Sequence, residues 1–101
     1  MKNAGLTVKQ KNYSCRHGEI DLVMEDGREL VFVEVRYRRD GSFGGAAASI
    51  DHSKQQRLKR SADHYLQAHQ NEGQDGCRFD VMAVSGTWPE YRLDWITNAF
   101  W

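Results

Sequence analysis

The sequence predicts an α/β domain, a mixed β-sheet with one helix packed on it, and three observations carry that expectation. Residues Glu19 to Glu25 and Glu29 to Tyr37 are strand-like runs joined by Asp26-Gly27, the strongest short-range hairpin signal a sequence offers. Leu58, Ala62, Tyr65 and Leu66 recur at helical spacing behind Asp51, a natural N-cap. Strand-like residues resume at Cys77 to Val84. A helix that connects two strands brings parallel pairing into an otherwise antiparallel sheet.

Along the chain, Leu6 to Tyr13 alternates polar and apolar residues, as a half-exposed edge strand does. Glu19, Asp21 and Val23 then alternate with Ile20, Leu22 and Met24, and the β-branched run Val31-Phe32-Val33-Glu34-Val35 forms the heart of the next strand. Arg38 to Ala48, with Gly41, Gly44 and Gly45, reads as a loop. After the helix, Asn71-Glu72-Gly73 and Asp75-Gly76 are the stop. Thr87-Trp88-Pro89-Glu90 is a turn, and Tyr91 to Trp95 a short last strand. The predicted order is β-β-β-α-β-β.

A chain of 101 residues, 40% hydrophobic and 28% charged, is one domain over residues 1–101. Its longest apolar run, Leu30 to Val33, is far short of the ~20 residues of a membrane helix. Met1-Lys2-Asn3-Ala4-Gly5 shows no signal-peptide pattern, which predicts a cytoplasmic protein. Cys15 and Cys77 lack C-x-x-C spacing and read as reduced thiols. His17, His52, His64 and His69 have no i,i+4 partner among themselves, so zinc is not expected. Ser42 and Ser49 have no visible base to activate them. Trp88, Trp95, Phe100 and Trp101 gather near the C-terminus, where large aromatics close a small core or an interface, or stack on bases.

Fourteen basic residues balance fourteen acidic ones, which argues against a protein that coats nucleic acid along its whole surface. The charges are nonetheless segregated. Arg36, Arg38, Arg39, Lys54, Arg57, Lys59 and Arg60 collect mid-chain, and Glu19, Asp21, Glu25, Asp26 and Glu29 precede them. Such a cationic block is either a phosphate-facing side or a solvated helix face.

If Asp26-Gly27 fills a two-residue turn, Glu25 faces Arg28, Asp21 faces Phe32 and Glu19 faces Glu34. Period-two alternation then puts Glu19, Asp21, Phe32, Glu34 and Arg36 on one face. Three carboxylates on one patch need a compensating cation, a divalent metal or a guanidinium. All-oxygen ligands suit Mg²⁺ or Mn²⁺. The same pattern also describes the wet face of a sheet with Arg36 and Glu34 in an ordinary ion pair.

Gly18-Glu19-Ile20-Asp21-Leu22-Val23, Leu30-Val31-Phe32-Val33-Glu34-Val35-Arg36, Phe43-Gly44 and Asn98-Ala99-Phe100 together resemble the YraN-type family of bacterial proteins. That family belongs to the PD-(D/E)xK restriction-endonuclease-like superfamily and is similar to archaeal Holliday-junction resolvases. The resemblance covers essentially the whole chain and implies a single restriction-endonuclease-like domain. By it, Asp21 and Glu34 hold Mg²⁺ or Mn²⁺, with the Val35 carbonyl a further ligand, and Arg36 stands where the superfamily has lysine. Glu19 belongs to the same string, with a metal, water or structural role. Lys54 matches a basic, phosphate-contacting position, and Arg38, Arg39 and Arg57 extend a nucleic-acid surface beside it.

The function so implied is a metal-dependent nuclease acting on DNA, branched or single-stranded. The alternatives are an inactive nucleic-acid-binding or scaffold module of the same fold, and a structural partner-binding protein. Arginine stays protonated and cannot act as a base, but it can hold a phosphate through paired hydrogen bonds. The family pattern also begins with a helix that carries a glutamate, and here the first strand comes at once. A sheet face without that cover favours a homodimer.

Overall fold

The alternating runs fold as strands, and the helical stripe lies across one face of the sheet they form. The computed structural model describes residues 6–38 and 50–100. Its elements are β1 (Leu6–Cys15), β2 (Gly18–Asp26), β3 (Glu29–Arg38), α1 (His52–Ala68), β4 (Cys77–Thr87) and β5 (Glu90–Phe100). The strands lie in the order β1-β2-β3-β4-β5. β3 and β4, joined through α1, are parallel, and every other neighbouring pair is antiparallel. This is the mixed sheet with one packed helix that the sequence predicts, and it is consistent with a restriction-endonuclease-like fold. The loop read at Arg38 to Ala48 falls, beyond Arg38, outside the described residues. Among those described, no helix is long and apolar enough to cross a membrane.

Two cores flank the sheet. Ile20, Val23, Leu30, Phe32, Phe79, Val81 and Ala83 pack against Leu58, Ala62 and Tyr65 of α1. Leu6, Met24, Val31 and Val33 form a smaller cluster with Leu22, Met82 and Trp95. Phe32, Tyr65 and Phe79 are fully buried, each stabilising the fold by roughly 1.5–3 kcal/mol through lost apolar exposure. Tyr65 meets Phe32 edge-on at 5.8 Å, and Phe79 stacks on Phe100 at 4.8 Å. The terminal aromatics therefore do not gather in one place. Trp88 is 81% exposed at a turn, Trp95 lies against the second core, and Trp101 is outside the described residues.

The hairpin register differs from the one read off Asp26-Gly27. Asp26 pairs with Glu29, so the turn is Gly27-Arg28. Gly27 has φ 65°, and Arg28 is not among the positive-φ residues. Glycine at the first turn position alone is the II′ pattern, not the I′ pattern of an Asp-Gly turn. A distant strand-end loop holds this choice: the Arg28 carbonyl accepts from Asp75 N–H at 3.2 Å, and the Gly76 carbonyl accepts from Leu30 N–H at 3.0 Å. Glu25 consequently faces Leu30, and Phe32 faces Val23. The expected pairs Asp21 with Phe32 and Glu19 with Glu34 are not formed.

Two boundaries also move. α1 stops at Ala68, short of Asn71-Glu72-Gly73, because His69 caps it. Its Nδ1 donates to the Tyr65 carbonyl at 2.9 Å, satisfying an acceptor that the next turn would have used. β5 runs through Phe100 because a register shift between Phe79 and Val81 lets pairing with β4 continue.

At the β4–β5 turn, Gly86 has φ 95°, and a Cβ there would stand 2.6 Å from the Glu90 carbonyl oxygen. Gly86→Ala therefore lowers stability by about 1–3 kcal/mol through backbone strain, measurable as a fall in urea midpoint. An unchanged midpoint would show that this turn relaxes freely.

Candidate functional site

The start of α1 sets one side of the site. Asp51 Oδ1 accepts Lys54 N–H at 2.8 Å, the N-cap bond the sequence predicts, and it fixes Lys54 in the first turn. From there Lys54 Nζ comes within 3.4 Å of Glu34 Oε2. Glu34 shares the pleat parity of Leu30 and Phe32, both in the helix-side core, so its carboxylate points toward α1 and is only 4% exposed. Arg36, two residues on, brings Nη1 to 3.7 Å from the same Oε2. Burial and then the charge of Asp21 push the Glu34 carboxyl up from the usual range, and Lys54 and Arg36 only partly pull it back.

Asp21 sits at a break in the sheet. Ile20 and Val23, an odd number of residues apart, both enter the helix-side core, so the pleat slips by one residue across Asp21-Leu22. On β1, Asn12 lies between the residues paired to Ile20 and Leu22 and has φ 53°, a conformation asparagine tolerates. Ladder pairing between β2 and β3 ends at Leu22 with Val33, and one further step of that register sets Asp21 against Glu34. There the Asp21 carboxylate takes the place of a backbone acceptor: its Oδ2 receives Val35 N–H at 2.8 Å. Asp21 lines an open 390 Å³ cavity with Lys11, Asn12, Leu22 and Val35.

The expected patch of three carboxylates thus becomes a pair. Asp21 and Glu34 are electrostatic neighbours across the broken ladder. Glu19 instead lines a separate 40 Å³ cavity with Gly18, Lys54, Arg57, Leu58 and Ser61. Phe32, Glu34 and Arg36 keep their common face, and the changed register with the pleat slip at Asp21-Leu22 alters what stands opposite them on β2. Among the described residues, no group of three or more His, Cys, Asp or Glu is placed to hold a metal ion. Val35 contributes its N–H to the site through Asp21. Arg57 lies at the Glu19 cavity with Nη1 3.4 Å from Ser53 Oγ. The side chain of Arg38, and Arg39 altogether, lie outside the described residues.

Ser61 was not expected here. It is buried in the helix face that packs on the sheet, donates to the Arg57 carbonyl at 3.0 Å and lines the Glu19 cavity. Its signal in the sequence is a lone hydroxyl on the stripe Leu58, Ala62, Tyr65.

Residues 1–84 match the family described as Uncharacterised protein family UPF0102. The chain belongs to the UPF0102 family. It is 49% identical over 100 residues to a UPF0102 protein of Stutzerimonas stutzeri, covering 99% of this chain and 83% of that relative. A UPF0102 protein of Nitrosomonas europaea is 55% identical over 95 residues, covering 94% of this chain and 78% of the relative. One from Yersinia enterocolitica is 50% identical over 102 residues, with coverages of 99% and 83%. This is the YraN-type family to which the hairpin motifs pointed, and the UPF0102 match spans Asp21, Glu34, Arg36 and Lys54.

The UPF0102 pair is compatible in kind with Mg²⁺ or Mn²⁺. Mg²⁺ is commonly held by one or two carboxylates together with water and substrate phosphate, so two acids meet the requirement. Burial first and the Asp21 charge second raise the Glu34 carboxyl, and a cation would offset the second.

Proposed function

We propose that this chain is a metal-dependent phosphodiesterase acting on DNA in the cytoplasm, with branched or single-stranded DNA as substrate. The observation that supports this most is the Glu34 carboxylate, raised by burial and then by Asp21, and flanked by Lys54 and Arg36. Asp21 and Glu34 would hold Mg²⁺ or Mn²⁺. When bound, the ion supplies a more acidic water and offsets charge on the phosphate under attack.

The chain's own residues do the rest. Val35 N–H holds the Asp21 carboxylate in one orientation. Lys54 and Arg36, whose present anion is Glu34, transfer their hydrogen bonds to a phosphate once that charge is otherwise balanced. Arg36 keeps its proton throughout, so it steadies phosphate charge and accepts no proton from water.

A specific feature favours a second reading, a binding module without catalysis. Lys54 and Arg36 already pair with Glu34, an arrangement that offsets part of its charge without a metal ion. Incubation of labelled branched and single-stranded DNA with the chain separates the two. The enzyme reading predicts strand cleavage with Mn²⁺ that EDTA abolishes, and faster cleavage by Arg36→Lys. Salt-sensitive binding with no cleavage in any divalent ion supports the module and contradicts the enzyme.

A further inference from the structure

Beyond the acid pair, one seam of the molecule carries cations that its acids do not answer. Lys54, Arg57, Arg60, His64 and Gln67 recur every three or four residues along one face of α1. The β1–β2 turn runs beside that face. Gly18 and Glu19 share the first cavity with Lys54 and Arg57. Arg16 and His17 share the next, of 260 Å³, with Arg60, Asp63, His64 and Gln67. Consecutive turn residues line consecutive cavities, so the two form one continuous seam.

Elsewhere Lys9 pairs with Glu25, Arg28 with Asp75, and Arg78 with Asp26, Glu29 and Asp80, while Lys11 and Lys59 have no ion-pair partner among the described residues. Arg16, Arg57 and Arg60 have no ion-pair partner among the described residues. The second cavity is also built rather than merely exposed. Tyr13 Oη shares a hydrogen bond of 2.5 Å with His64 Nδ1, and the His17 ring meets the His64 ring at 6.4 Å. Burial pushes the Tyr13 phenol up, so it keeps its proton. Donors outnumber the one acid of the cavity, Asp63.

We propose that this seam is a phosphate track, in which the Arg16, His17, Arg60 and His64 cavity holds a second phosphate of the nucleic acid whose first lies at Lys54. The inference rests on the nucleic-acid reading of the acid site and adds the path the backbone takes. Ten residues of helix separate Lys54 from His64, about 15 Å at 1.5 Å per residue. That distance spans a few nucleotides of one strand. The backbone of the bound strand therefore runs along α1.

The test is fluorescence anisotropy of fluorescein-labelled duplex, branched and single-stranded DNA with the full chain in EDTA, over a series of KCl concentrations. Arg16→Gln combined with Arg60→Gln lowers the slope of log affinity against log salt by about 1, the loss of the one phosphate contact that this cavity makes. Asp63→Asn tightens binding, because it removes the anion from the track. Circular dichroism of each variant verifies that α1 is retained. Unchanged slope and affinity in the double variant overturn the track while leaving the acid-site reading intact. A wild-type chain that binds neither the duplex nor branched or single-stranded DNA at the lowest salt overturns both.

Discussion

Asp80→Ala lowers the free energy of unfolding by about 3–5 kcal/mol, the loss expected when one partner of a buried charged pair is removed. Asp80 is fully buried on β4, on the face opposite α1. It accepts from Arg78 Nε at 3.0 Å, Arg78 Nη2 at 3.3 Å, Trp95 Nε1 at 2.7 Å and the Asn98 backbone N–H at 2.8 Å. The last bond explains the position. Asn98 has φ 54° and lies where the β4–β5 register shifts, so its amide leaves the ladder and needs another acceptor. In the alanine variant Arg78 keeps Glu29 at 2.8 Å and Asp26 at 3.4 Å, but the Trp95 and Asn98 donors are stranded. Urea unfolding measures the effect, and Asp80→Asn, which keeps an acceptor, loses less. Wild-type stability in Asp80→Ala would show that solvent reaches this network.

Glu34→Gln has the opposite effect on stability and a larger one on activity. Burial and Asp21 raise the Glu34 carboxyl in the folded chain, so the native state holds that proton more tightly than the unfolded one. The stabilising contribution of this group is present below its unfolded value and is lost as pH rises through the raised folded value. At neutral pH ionised Glu34 destabilises the metal-free fold. The glutamine variant is therefore more stable than wild type there, and its advantage shrinks on acidification. Hydrolysis falls by at least about 100-fold, since a metal supplies several kcal/mol of transition-state stabilisation and 1.36 kcal/mol is tenfold in rate. Urea unfolding in EDTA across pH and cleavage rates in Mn²⁺ check the two halves. Destabilisation at neutral pH would place Glu34 with Asp80, as a structural acid.

The contrast between these acids explains what the sequence could show. Strand content, the parallel crossover and the Asp51 cap were legible, because local spacing and period decide them. The hairpin register was not, because Asp75 and Gly76, far along the chain, bind the Arg28 carbonyl and the Leu30 amide and choose Gly27-Arg28 over Asp26-Gly27. Asp21 was singled out as a candidate but on the wrong geometry, since a pleat slip opposite Asn12 leaves no mark in hydrophobic alternation. Asp80, an acid amid Phe79 and Val81, could be flagged only as an anomaly. Trp95 and Asn98, its partners, come from another strand. The Tyr13–His64 bond joins residues 51 positions apart and has no local signal at all.

Asp21 and Asp80 each catch a backbone N–H that has left its ladder, at Val35 and Asn98. What sets Asp21 apart is its open cavity and the charge it imposes on Glu34. The most direct measurement is thus the melting temperature of the wild-type chain, Asp21→Asn and Glu34→Gln at neutral pH as Mn²⁺ is titrated in. A cation bound by both carboxylates raises the wild-type midpoint progressively with concentration and leaves both variants unmoved. A wild-type midpoint that is the same in EDTA and in excess Mn²⁺, or an equal rise in all three proteins, would contradict the account.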